Sequence, residues 1–160
     1  MFGTLGFSYV GLIFLLMLFI PNIIWTGKKP LGYLPEAENR VLLFLERVGE
    51  ALTCCCALLC TDFNFRGWTG WSWWLVLAFF LMAMYKLWWV RYFRSERKLS
   101  DFYSSFLFVP LAGAVLPVLA FFTLGIYGRS YGMLLAVAIL GIGHIGIHIQ
   151  HRNEMDRAAK

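Results

Sequence analysis

Two pairs of side chains with i, i+4 spacing carry the chemistry this sequence offers. Glu46 and Glu50 are four residues apart within one apolar run, and His144 and His148 are four apart within another. On a helix that spacing places both members of a pair on one face. Carboxylates accept protons or cations, and imidazole titrates near neutral pH, so the two pairs together suit proton exchange, ion binding or acid–base work. The same four groups, Glu46, Glu50, His144 and His148, also have the spacing with which a helix face chelates a divalent metal. Lys86 lies at a depth similar to His144, with Tyr85 beside it, and Arg47 adjoins Glu46. These two cations are expected to balance the carboxylates or hold an anionic group. His151 follows His148 by three residues on the same face.

The elements that must position these groups are membrane helices. Of the 160 residues, 60% are hydrophobic and 14% charged, and the mean hydropathy is +0.68. A soluble domain of this size keeps much of its surface polar because little of it is interior. This chain has too few charges for that, so lipid is the natural place for its apolar surface. Helical spans need about 20 apolar residues each, and the apolar runs fall at 5–25, 41–61, 71–90, 102–124 and 132–149. The expected fold is an all-α bundle of five transmembrane helices forming one domain, with short connections and antiparallel neighbours. The first run lacks a basic segment before it and a small-residue cleavage site after it, and is expected to be retained.

The basic residues set an orientation. With the N-terminus outside, the inner segments hold Lys28, Lys29, Arg40, Arg91, Arg94, Arg97, Lys98, Arg152, Arg157 and Lys160, and the outer loops only Arg66 and Arg129. The rule that Lys and Arg stay on the cytoplasmic side then places the N-terminus out and the C-terminus in. The same distribution explains the net charge of +5: it belongs to topology and anionic headgroups, and no nucleic-acid partner is expected. A plasma or bacterial inner membrane is the expected location, with membrane lipids as partners. In the third span, Trp68, Trp71, Trp73 and Trp74 mark one end and Trp88, Trp89 and Tyr92 the other, as interfacial aromatics do.

In this frame all five spans bring polar groups to the inner third of the membrane. Glu46 lies roughly 8 Å inside the inner boundary, Glu50 roughly 14 Å, and His144 roughly 6–8 Å deeper than His148, at 1.5 Å per residue. Asp101, Ser104 and Ser105 enter from the same side, as do Pro21 and Asn22. An ionisable group at the helix centre costs roughly 2.5–3.5 kcal/mol, so Glu50 must be protonated, paired or wet. The asymmetry implies a cavity open to the cytoplasm. The four cysteines, Cys54, Cys55, Cys56 and Cys60, contain no CxxC spacing and read as small packing residues. Pro110 and Pro117, seven apart, should bend the fourth span. Gly141, Gly143 and Gly146 should let another helix approach the fifth closely, within the chain or in a homo-oligomer.

Three functions fit. The first is binding or transport of a small molecule or ion through the inner pocket, with Glu46, Glu50, Lys86, His144 and His148 as ligand-binding or proton-accepting groups. The second is a membrane-embedded enzyme acting on a lipid or isoprenoid. The third is an accessory subunit of a membrane complex.

Overall fold

The computed structural model describes residues 3–30 and 38–158, and every regular element in them is helical. Residues 31–37, in the connection between the first two apolar runs, lie outside the described residues. Five long helices form: α1 (Tyr9–Thr26), α2 (Arg40–Leu59), α3 (Trp73–Arg94), α5 (Ala112–Tyr127) and α6 (Tyr131–Ala158), with a single turn, α4 (Leu99–Phe102), between α3 and α5. Their starts follow from short polar side chains that satisfy otherwise orphaned backbone donors. Ser8 Oγ accepts from Gly11 N at 2.9 Å, Asn39 Oδ1 from Val41 N at 2.9 Å, and Ser130 Oγ from Met133 N at 3.3 Å.

The helices close a ring in the order α1, α3, α5, α6, α2, with α2 returning to α1. Residue pairs fix their directions. Phe14 meets Phe79, and Asn22 meets Tyr85, so α1 and α3 run parallel. Trp71 meets Tyr127 and Trp88 meets Gly113, so α3 and α5 run antiparallel. Gly49 lies on Leu140, and Gly143 and Gly146 lie on Glu46 and Leu42, so α2 and α6 run antiparallel too. The axis of the ring is filled: Phe14, Met82, Leu116, Phe121 and Val137 are buried there, and Phe14 packs edge-on against both Phe79 and Phe121 at 4.9 and 5.8 Å.

Three helices are long and apolar enough to cross a membrane: 9–26, 70–94 and 131–157. α2 carries Arg40, Glu46, Arg47 and Glu50, and α5 has 16 residues, about 24 Å of rise. Large apolar side chains nevertheless face outward on all five long helices, among them Leu16, Phe44, Phe80, Phe122 and Ile142. Such a surface exceeds what a water-soluble monomer exposes.

Two expectations require correction. The run 102–124 is not one helix. After Phe102 the chain leaves helical geometry, and α5 begins only at Ala112. Ser104 and Ser105 open this stretch. Ser104 Oγ donates to the Asp101 carbonyl at 2.7 Å, and Arg91 holds Ser104 Oγ at 2.6 Å and the Ser105 carbonyl at 2.9 Å. Residues 106–109 form a tight turn in which Phe106 and Val109 exchange both backbone hydrogen bonds, with Leu107 and Phe108 at positive φ at its tip. Pro110 therefore precedes α5 instead of kinking it, and Pro117 alone lies within the helix. The second correction concerns Trp88, Trp89 and Tyr92, which are 1–3% exposed and belong to the core. Gly113 is the local reason: a Cβ there would overlap the Trp88 ring, so the glycine lets that indole lie on the α5 backbone. At the other end of α3, Trp68, Trp71 and Trp73 are exposed, as interfacial aromatics require.

Candidate functional site

The α2–α6 contact assembles the candidate site. Gly143 is buried where a Cβ would overlap the Glu46 backbone, and Gly49 where it would overlap the Leu140 backbone. The two backbones therefore touch, which small residues permit between membrane helices. That approach aims neighbouring side chains at each other: His144 Nδ1 lies 2.6 Å from Glu46 Oε1. Both are partly buried, at 27% and 21% side-chain exposure. The distance is short for a nitrogen–oxygen hydrogen bond, as charge-assisted bonds are. Imidazole Nδ1–H donates to a carboxylate oxygen in such a contact, and which group donates depends on the tautomer of His144.

The row continues along α6. The His144 and His148 rings are 4.6 Å apart. His148 stacks on Phe102 and meets Tyr103 edge-on, both at 5.7 Å, and among the described residues packing alone holds it, without a hydrogen bond. Tyr103 stacks on His151 at 6.0 Å. His151 Nε2 lies 3.1 Å from Glu38 Oε1, and its Nδ1 lies 3.9 Å from Glu154 Oε2. The end of α4 and the residue that follows it thus deliver Phe102 and Tyr103 to the histidine face. A polar row extends from Glu46 to Glu38 through three histidines and a tyrosine, and Trp88, Trp89 and Tyr92 pack around Phe102 at its flank.

The other expected members do not join this row. Glu50 is half-buried one turn further along α2 and makes no hydrogen bond or ion pair among the described residues. Arg47 is exposed and pairs with neither carboxylate. Lys86 is half-buried on α3, which packs chiefly on α5 and α1, away from the α2–α6 seam. The four-ligand metal arrangement of Glu46, Glu50, His144 and His148 does not form. Among the described residues no three His, Cys, Asp or Glu side chains converge as a ligand group. The physical reason is the register of α2 on α6: it faces Glu46 to His144 and turns His148 toward the aromatic rings of 102–103.

Asn22 and Tyr85 form a second polar contact between α1 and α3, where Asn22 Nδ2 donates to Tyr85 Oη at 2.8 Å and to the Leu18 carbonyl at 2.7 Å. The sequence marked both residues without pairing them.

The opposite end of the bundle holds a polar cluster that sequence reasoning missed. Asp62 accepts from the Thr4 backbone N–H and from Thr4 Oγ1, Asn64 bridges Phe7 and Tyr9, and Trp71 Nε1 donates to the Tyr127 carbonyl at 2.9 Å. Only the run of Thr, Asp, Asn and Gly between two apolar segments hints at it, and that composition fits any surface loop.

Comparison of this chain with protein-family models, with curated proteins and with solved structures finds no match.

Proposed function

We propose that this chain is a five-span membrane protein, N-terminus out and C-terminus in, that exchanges protons at Glu46–His144 and couples them to binding or movement of a small solute or ion on the cytoplasmic side. The observation that carries this reading is the 2.6 Å contact between Glu46 and His144 at a partly buried helix seam. An isolated carboxylate at that depth costs several kcal/mol, whereas a carboxylate facing an imidazole holds one proton between two sites. His148 and His151 extend the row toward the proposed inner surface, where protons enter and leave.

Five crossings are supported by the packing. α2 lies antiparallel along α6 over contacts from Leu42 to Gly49, so it shares the depth of a helix long enough to span. α5 is short, but the paired turn 106–109 and α4 continue its path toward the same end as Arg94. Backbone groups of Phe106 and Val109 are satisfied by each other, which non-helical chain at membrane depth requires. The apolar tip, Leu107 and Phe108, suits the acyl boundary. Because side chains fill the axis of the ring, solute movement would follow the α2–α6 seam or a contact between copies. A plasma or bacterial inner membrane suits this reading.

The test is a proton-flux assay in liposomes of purified protein with a pH-sensitive dye inside. Wild type is expected to collapse an imposed pH gradient faster than empty vesicles, and Glu46→Gln to slow that collapse at least tenfold while the protein still inserts. Wild-type vesicles that hold the gradient as long as empty ones would overturn the proposal.

A further inference from the structure

The end of the bundle that bears the N-terminal segment has a cavity of about 380 Å³, lined by Asp62, Arg66, Thr69, Trp71, Ser72 and Arg129, among others. Three of these are charged, two positive and one negative. Asp62 is only 14% exposed, and its oxygens already serve Thr4 and, at 3.3 Å, Arg66. That single contact leaves most of the five donors of Arg66 free, on a side chain 63% exposed. Arg129 makes no ion pair or side-chain hydrogen bond among the described residues. Its guanidinium sits 4.7 Å from the Trp71 ring centre.

This arrangement is built rather than incidental. The Trp71 indole is fixed by its bond to the Tyr127 carbonyl. Arg129 occupies the left-handed region, φ 50°, in the tight turn between α5 and α6, which two backbone bonds close: Arg129 N to Ile126 O at 3.0 Å and Ser130 N to Gly125 O at 3.0 Å. A non-glycine residue takes that conformation only when its surroundings hold it there. Turn and indole together therefore present a cation beside the cavity. Thr69 and Ser72 stiffen its wall: Ser72 Oγ donates to the Gly67 carbonyl at 3.2 Å and accepts from Thr69 N at 3.0 Å.

We infer that this cavity binds a phosphoester anion, held by Arg129 and Arg66 with Trp71 as the platform. Guanidinium groups match phosphate oxygens in pairs, and the cavity is much larger than a bare phosphate, so it admits an organic substituent. The phosphoester can come from a phospholipid headgroup of the adjacent leaflet or from a soluble molecule. The site lies at the opposite end from the Glu46–His144 pair and stands or falls independently of it.

The experiment uses full-length protein purified in detergent and stripped of lipid. Phosphatidylglycerol binding is measured by native mass spectrometry, and glycerol phosphate binding by calorimetry, for wild type, Arg129→Gln and Arg129→Lys. Arg129 is the variant of choice because it has no ion pair whose loss would disturb folding. Lysine keeps the charge and controls for local damage. The expected result is binding of at least one ligand, weakened at least tenfold by Arg129→Gln and less by Arg129→Lys. Phosphatidylglycerol alone would identify a lipid site, and glycerol phosphate binding a site for soluble phosphoesters. Equal affinity in wild type and Arg129→Gln, or no binding of either ligand by wild type, would overturn the inference.

Discussion

At the scale of single residues, Glu46 and His144 are each other's hydrogen-bonding partners across the α2–α6 seam. Removing the imidazole with His144→Ala leaves a partly buried carboxylate without its partner, a change that costs about 1–3 kcal/mol when a polar group is left unsatisfied. Glu46→Gln keeps a hydrogen-bonding group opposite His144 and should cost less. Thermal unfolding in detergent checks the order: His144→Ala should melt below Glu46→Gln, and the reverse order would mean that the 2.6 Å contact contributes little. Asn22 and Tyr85 offer a cleaner pairwise measurement. A double-mutant cycle with Asn22→Ala and Tyr85→Phe should give a coupling of about 0.6 kcal/mol and no more than about 1.7 kcal/mol, the range of hydrogen bonds between membrane helices. Elemental analysis addresses metal binding by Glu46, Glu50, His144 and His148. Protein prepared without chelators should contain no stoichiometric metal that a Glu50→Gln, His144→Ala double variant loses, because the ligands do not converge.

At the scale of elements, the α2–α6 seam sets the site. Gly143 and Gly146 were legible as a close-packing face, and the structure uses them within the chain, against Glu46 and Leu42, while Gly141 meets Val118 of α5. Gly143→Val should therefore separate the helices. Overpacking of a tight contact costs about 1–3 kcal/mol, and proton flux should fall with it because the Glu46–His144 distance opens. Gly27→Ala is the matched control: its new methyl would meet nothing nearer than the Ile24 carbonyl at 3.9 Å, so stability should stay within about 0.5 kcal/mol. An equal loss in both variants would argue against a specific seam. The break between α4 and α5 was the element the sequence misled on. The run 102–124 is apolar enough to resemble one span, yet paired serines, a backbone-satisfied turn and Pro110 end helical geometry inside it. Hydrophobicity reports depth in a membrane and not the local hydrogen-bond pattern, so the apolar count alone could not reveal the break.

At the scale of the whole molecule, the testable statement is topology. Single cysteines introduced on a background lacking Cys54, Cys55, Cys56 and Cys60 can be probed with an impermeant maleimide in intact cells. Gly67→Cys should react from outside, whereas Lys98→Cys and Arg157→Cys should react only after permeabilisation. Labelling of Lys98→Cys in intact cells would reverse the orientation, and equal labelling of all three would exclude it. A core of aromatic rings links this topology to the site. Trp88, Trp89, Tyr92 and Phe102 fill the proposed inner end of the bundle and brace the irregular stretch that carries Tyr103 to His148 and His151.

The sequence by itself determined the helical class, the apolar runs and the faces on which like residues gather, because those follow from composition and a 3.6-residue period. Glu46 and His144 each stood out through the cost of an ionisable group among apolar neighbours. Tertiary structure alone decided that these two meet while Glu50, Arg47 and Lys86 stay apart. Helix pairing and register depend on where small residues permit backbones to touch, and that information lies in matching surfaces from distant parts of the chain. The same limit hid the buried role of Trp88 and Trp89. A tryptophan near the end of an apolar run suits the headgroup boundary and the core equally well, and only Gly113, at the start of α5, selects the core.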